Sequence, residues 1–229
     1  MKKNAGEEGR IDVLLPMIVL FIVAFTLRVM GGAWTPKWDN DAYIARQAEY
    51  IHAFGHPAVP DPFSSAPLYQ PGMAYLLALV GWIIDLIPFP FTLSSMTIAE
   101  GLVPPLLGAG TVLVIYWFAK ILFNNTAGIA AGLLASLSHF LIFRTMKGFV
   151  FHNALSLFLI IFTVLVTWKA LTMVNEKPFP RELKNRIRYT AVMLAPAVLI
   201  GVTGFTWGGY FILHAILLFY ALLFSFFIA

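Results

Sequence analysis

The sequence predicts an all-α fold, a polytopic bundle of membrane helices, on three observations. First, only 11% of the 229 residues are charged while 60% are hydrophobic, for a mean hydropathy of +0.83. Soluble domains average roughly 25% charged residues, and a soluble fold with so few could not cover its own surface. Second, the apolar residues gather into runs close to the roughly 20 residues of helix that cross a bilayer. Third, the charges fall at or near the ends of those runs, Asp85 excepted. The basic balance, pI ≈ 9.4, therefore belongs to segments flanking the membrane. That placement predicts membrane lipid as a partner and no nucleic acid. The chain has no cysteine, which excludes disulfides, thiolate metal sites and cysteine nucleophiles.

Taken in order, residues 1–12 form a polar tail with Lys2, Lys3 and Arg10, and residues 13–229 form the transmembrane domain. The first span, Val13–Gly32, stops at Gly31-Gly32. Residues 33–97 make a long loop with a helix over Ala42–Phe54, which ends at Gly55 before Pro57. Within the same loop, Met73–Ile84 is apolar for only a dozen residues before Asp85, Pro88 and Pro90. A run of that length suits an interfacial helix better than a span. Ile98–Phe123 is the second span, and Pro104-Pro105 should kink it. Thr126–Phe143 is the third span, a turn occupies residues 144–153, and Ala154–Val174 is the fourth. A charged loop over residues 175–189 leads to Thr190–Phe205 and then to a last run, Tyr210–Ala229. About six spans result. The final run has no polar flank, so the chain reads as a portion of something longer.

Sidedness follows from the positive-inside rule. The tail and the loop bearing Lys177, Arg181, Lys184, Arg186 and Arg188 both belong in the cytoplasm. They share that side only if an even number of helices separates them, which requires Met73–Ile84 not to cross. The loop 33–97, the turn 144–153 and the turn at Trp207–Tyr210 then share the extracytoplasmic face.

Three places on the chain carry groups suited to chemistry. Asp39-Asn40-Asp41 sets two acids at i, i+2 just past a span. Such a pair suits an oxygen-ligand site for Mg²⁺ or Mn²⁺ or a general base, while a helix N-cap accounts for it equally. Arg144-Thr145-Met146-Lys147-Gly148 offers two cations, either snorkelling at a turn or binding phosphate. His52 and His56, four apart, form a candidate ligand pair with no further zinc ligand nearby. Asn124-Asn125-Thr126 is a glycosylation sequon that the topology puts in the cytoplasm.

Four stretches, in order, resemble the catalytic subunit of oligosaccharyltransferase, of the archaeal and bacterial single-subunit type. Asn40-Asp41-Ala42-Tyr43 is similar to the family's first-loop Asp motif, and Val103-Pro104-Pro105-Leu106-Leu107-Gly108-Ala109 to its second-span motif. Arg144-Thr145-Met146-Lys147-Gly148 is similar to the lead-in to its second acidic motif, and Trp207-Gly208-Gly209-Tyr210 to a later outer turn. The resemblance implies a class C glycosyltransferase bundle with a non-spanning helix in the first outer loop. It implies transfer of a polyprenyl-pyrophosphate-linked glycan to the asparagine of N-x-Ser/Thr sequons, with lipid-linked oligosaccharide and acceptor polypeptide as partners. Asp41 would be catalytic and bind Mg²⁺ or Mn²⁺, and Arg144 would support the site. Arg144, Lys147, Trp207 and Tyr210 would bind substrate.

One departure bears on the metal. Where the family has Asp, any residue, and Asp or Glu, this chain has Phe151, His152 and Asn153. Both acids are missing, so the metal site is expected to be weakened or lost, with Asn153 and His152 as its remaining donors beside Asp41. The family's later outer-loop Glu and its C-terminal soluble domain are not in these 229 residues, which by themselves should be inactive. Two alternatives share the fold: a metal-independent enzyme using polyprenyl-phosphate sugars, and a non-catalytic, degenerate paralogue. A transporter fits less well, since no run carries a charge at its middle.

Overall fold

The computed structural model describes residues 5–32, 39–58, 71–88, 92–150, 152–176 and 183–206, and all regular structure among them is helical. In chain order the helices are α1 (Ala5–Met30), α2 (Asp39–Phe54), α3 (Gly72–Asp85), α4 (Ser95–Leu122), α5 (Asn125–Leu137), α6 (His139–Arg144), α7 (Asn153–Glu176) and α8 (Leu183–Thr206). Among the described residues, four stretches are long and apolar enough to cross a membrane: Asp12–Met30, Ser95–Leu122, Asn153–Met173 and Asn185–Thr206. The run Tyr210–Ala229 lies outside the described residues.

The central element is α4, which packs against α1, α3, α5 and α7. Its sequence explains that position. Gly101, Ala109, Thr111 and Val112 are small and buried, and lipid-phase helices associate where small residues let backbones approach. Pro104 and Pro105 are buried inside this unbroken helix. By contrast, Leu14, Leu15, Ile18, Val19 and Ile22 of α1 are exposed along one helical face, an apolar surface suited to acyl chains. Two cores flank α4. One joins Leu20 and Ala24 of α1 to Val112, Tyr116 and Ala135. The other joins Ile44, Ala48 and Ile51 of α2, Met73 and Leu77 of α3, Val103 of α4, Val150, and Leu155 of α7.

Local chemistry sets the helix starts. The Ser94 side chain accepts from the Thr97 N–H at 3.1 Å and starts α4. The Asn124 side chain accepts from the Ala127 N–H at 2.9 Å and starts α5, so the sequon asparagine is spent as an N-cap. Asn125 accepts from the Tyr116 hydroxyl at 2.8 Å, tying the start of α5 to α4.

Two expectations, the third span and the start of α2, need correction, and the candidate pair His52 and His56 is resolved. The run Thr126–Phe143 is not one helix: it breaks at Ser138, whose backbone turns extended (φ −60, ψ 114) and whose side chain accepts from Leu141 N–H to restart the chain as α6. Only the polar pair Ser138-His139 interrupts the apolar residues on either side, too short a dip to divide the run by hydropathy. His52 and His56 do not converge. His52 Nε2 meets Asp85 Oδ2 at 2.8 Å and His56 Nδ1 meets the Pro57 carbonyl at 3.0 Å. The Asp85 that interrupts α3's apolar run is thus the partner of His52, and the Trp82 indole donates to the His52 carbonyl at 2.9 Å beside it. Finally, α2 begins at Asp39, so Asp39, Asn40 and Asp41 fill its first turn, where acids complement the helix dipole.

Candidate functional site

The short helix α6 ends at Arg144, and the chain turns through Thr145–Val150 before α7 starts at Asn153. Gly148 makes this turn possible: its φ of +76 lies in the left-handed region, which a β-carbon disfavours. Phe149 N–H then donates to the Met146 carbonyl at 3.0 Å. Val150, fully buried, drops into the core that also holds Ile44 and Ala45 of α2. The turn and the N-terminal half of α2 are therefore brought to the same core. Asp41 lies in the first turn of that helix, and its side chain is outside the described residues, as are Phe151, Trp207 and Tyr210. Thr206, the last residue before Trp207, is buried and meets Gly72 at the start of α3.

Arg144 is gripped by aromatic rings. Its guanidinium lies 5.7 Å from the Phe140 centroid, 5.9 Å from Phe143 and 6.0 Å from Phe149. Such contacts hold the charge by the ring quadrupoles. Phe143 and Phe149 also touch each other, 5.2 Å between centroids, closing α6 onto the turn. The sequence reading singled out Arg144 but not these phenylalanines. The i, i+4 spacing of Phe140 and Arg144 was the available signal, whereas Phe149 reaches the site only through the Gly148 turn.

His152 is held neutral. Burial first, and then the nearby Arg144 charge, lower its pKa from 6.5 to about 4. Its carbonyl accepts from the Ser156 N–H at 2.9 Å and the Ser156 hydroxyl at 2.8 Å, so its backbone is locked into the first turn of α7. The same electrostatics bear on a metal. A site whose cation already disfavours one positive charge on His152 disfavours a dication more. Asn153 supplies only a neutral oxygen, and Phe151 supplies nothing. The donors His152 and Asn153 therefore do not fit an oxygen-ligand Mg²⁺ or Mn²⁺ site. Among the described residues no group of three or more His, Asp or Glu converges to hold a metal ion.

The site contains one residue that the sequence reading treated as an ordinary helix-end charge. Arg28, in the last turn of α1, is fully buried. Its Nε donates to the Thr145 hydroxyl at 2.7 Å and its Nη1 to the Ala24 carbonyl at 2.8 Å, while its own carbonyl accepts from Lys147 N–H at 3.0 Å. A β-carbon on Gly108 of α4 would collide with Arg28 Nε and the Thr145 hydroxyl, so glycine makes room for this pair. An arginine inside an apolar run was the available signal.

The fold has known counterparts. The family model described as "Oligosaccharyl transferase STT3, N-terminal" matches residues 38–229. No curated protein matches the chain. Three solved structures of the oligosaccharyltransferase of Archaeoglobus fulgidus share the fold. AglB in complex with an inhibitory peptide and a dolichol-phosphate gives a TM-score of 0.72 at 21% identity, over 90% of this chain and 25% of that one. The complex with Zn and sulfate gives 0.70 at 21%, over 89% and 26%. The form tethered by a disulfide to an acceptor peptide with the NVT sequon gives 0.71 at 21%, over 90% and 25%. The chain thus spans about a quarter of the length of the solved enzymes it resembles.

Proposed function

The chain belongs to the oligosaccharyl transferase STT3 family through its match to the N-terminal model, and on that premise we propose that it is the membrane portion of a protein N-glycosylating enzyme. The reaction is transfer of a glycan from a polyprenyl-pyrophosphate carrier to the amide nitrogen of asparagine in N-x-Ser/Thr sequons. The observation that carries this reading is the family match over residues 38–229, which includes α2 with Asp41 and the turn with Arg144. The Archaeoglobus enzyme's capture of a dolichol-phosphate and of peptides supports lipid-linked oligosaccharide and acceptor polypeptide as partners.

In this reading Asp41 accepts a hydrogen bond or proton from the acceptor amide, raising the nitrogen's nucleophilicity toward the sugar's anomeric carbon. Arg144, held among its three rings, is assigned to binding the pyrophosphate that leaves, with Lys147 as a second cation. Trp207 and Tyr210 are assigned to substrate binding by their match to the family's outer turn. Family members are expected to use Mg²⁺ or Mn²⁺, which would polarise the reacting groups. Here the donor set of Asp41, His152 and Asn153 does not suit such an ion.

For orientation, the basic residues Lys2, Lys3 and Arg10 and the loop bearing Lys177 to Arg188 place the N-terminus in the cytoplasm. The active face is then extracytoplasmic. The 14-residue α3 does not cross, and about six spans result if α5 and α6 together make one. Impermeant labelling of single cysteines at Lys3, Ser64 and Asn185 tests this: label at 64 alone from outside is expected, and label at both 64 and 185 overturns it.

Activity tests the function. In the intact protein Asp41→Asn should abolish transfer to a sequon peptide, while Asp39→Asn costs much less, because an amide is tolerated in the first turn of α2 but cannot act as a base. If Asp41→Asn retains the wild-type rate, Asp41 is a helix-end residue only and the assignment fails.

A further inference from the structure

We propose that Arg28 is a positioning residue that holds the Thr145–Val150 turn, and with it Arg144 and Lys147, in place from inside the bundle. The inference rests on the reading of that turn as the donor-binding element.

The grip has two points. Arg28 Nε reaches Thr145 Oγ1 at 2.7 Å, and the Arg28 carbonyl accepts from Lys147 N–H at 3.0 Å. The turn is therefore held on both sides of Met146 by one residue that lies 117 positions earlier in the chain. Each contact satisfies a group that the local structure leaves unmet. Arg28 is within the last four residues of α1, whose carbonyls lack intrahelical donors, and Lys147 supplies one. The Thr145 hydroxyl donates to the Leu141 carbonyl, so its remaining lone pair is directed at Arg28. The hydroxyl thus links Arg28 to the end of α6, immediately beside Arg144. Gly108 of α4 supplies the space in which the pair meets.

Stability does not explain an arginine at this position. Its Nη2 is buried with no hydrogen-bond partner among the described residues, and a buried charged donor left unmet is destabilising. A methionine would fill similar volume, leave Thr145 bonded to Leu141, and leave no donor unmet. What methionine loses is the directed bond to Thr145. An arginine here thus trades stability for the placement of the turn. A displacement of about 1 Å in a catalytic group can slow a reaction on the order of a hundredfold, so the geometry has consequences for rate.

The test uses Arg28→Met, Thr145→Val and Thr145→Ser in the intact protein. Transfer kinetics, unfolding midpoint and the mobility of a spin label on Met146→Cys are compared, the chain having no other cysteine. Arg28→Met should keep or raise the unfolding midpoint yet lower kcat by about ten- to a hundredfold, with KM for donor moving far less. Thr145→Val strands Arg28 Nε, so it should lower both midpoint and kcat, and Thr145→Ser should restore both. The label should gain mobility in Arg28→Met and Thr145→Val and stay wild-type in Thr145→Ser. Unchanged label mobility in Arg28→Met and Thr145→Val overturns the proposal. So does a parallel loss of midpoint and kcat in Arg28→Met, the signature of a structural residue. If the label responds as expected while the wild-type protein transfers no glycan, the positioning contact stands and the enzymatic reading falls.

Discussion

Replacing Gly108 by alanine puts a methyl group where Arg28 and Thr145 meet. The new β-carbon would overlap Arg28 Nε and Thr145 Oγ1 and lie 2.6 Å from Thr145 Cβ. Neither neighbour is a free side-chain end: Arg28 is tied to Ala24 and Thr145, and Thr145 is tied to Leu141. Relief requires α1 or the turn to shift. Overpacking of this kind is destabilising by about 2 kcal/mol, and loss of the charge-assisted Arg28–Thr145 bond adds about 2 kcal/mol. Alanine's better helix propensity returns about 1 kcal/mol, for a net destabilisation of about 3 kcal/mol. Gly201→Ala in α8 is the matched control, because nothing among the described residues lies within 4 Å of its added β-carbon. That variant should be neutral or gain up to about 1 kcal/mol. Unfolding by SDS in mixed micelles, followed by tryptophan fluorescence, compares the two. Gly108→Ala as stable as Gly201→Ala would refute the reasoning and show that the Arg28–Thr145 contact is loosely held.

Restoring the missing acids with Phe151→Asp and Asn153→Asp should raise Mn²⁺ affinity by a large factor over the unmodified chain, measured by electron paramagnetic resonance titration. Tight, stoichiometric Mn²⁺ binding by the unmodified chain would show His152 and Asn153 to be working ligands after all. For His152 the folded pKa, about 4, lies below its ordinary 6.5, so the folded state binds fewer protons than the unfolded state between these values. Stability should accordingly be unaffected above about pH 6.5 and decline as pH falls toward 4, by at most on the order of 3 kcal/mol. His152→Gln should flatten that decline, and a His152 ring resonance titrating near 6.5 would contradict it. Tyr116→Phe removes the hydroxyl that donates to Asn125 at 2.8 Å and should lower stability by about 1 kcal/mol in the same SDS assay, with no loss expected if α5 is held by packing alone.

What the sequence determined by itself is whatever depends on neighbours along the chain. Helical content, the polar segments between spans, the end of α2 at Phe54 and the short α3 all follow from hydropathy run length and breaker residues, which act within a few residues. Family membership was also legible, because its motifs are short strings in a set order. The Ser138 break was not, since the polar pair Ser138-His139 is too short to end an otherwise apolar run and the restart depends on one hydroxyl. Tertiary structure alone decided which charges are partnered and by what. Asp85 finds His52 across 33 residues, Arg28 finds Thr145 across 117, and Arg144 collects Phe149 through the left-handed turn at Gly148. In a low-dielectric bundle an unmet polar group is costly wherever it sits, yet the partner that meets it is set by which helices pack together, and no local pattern records that choice.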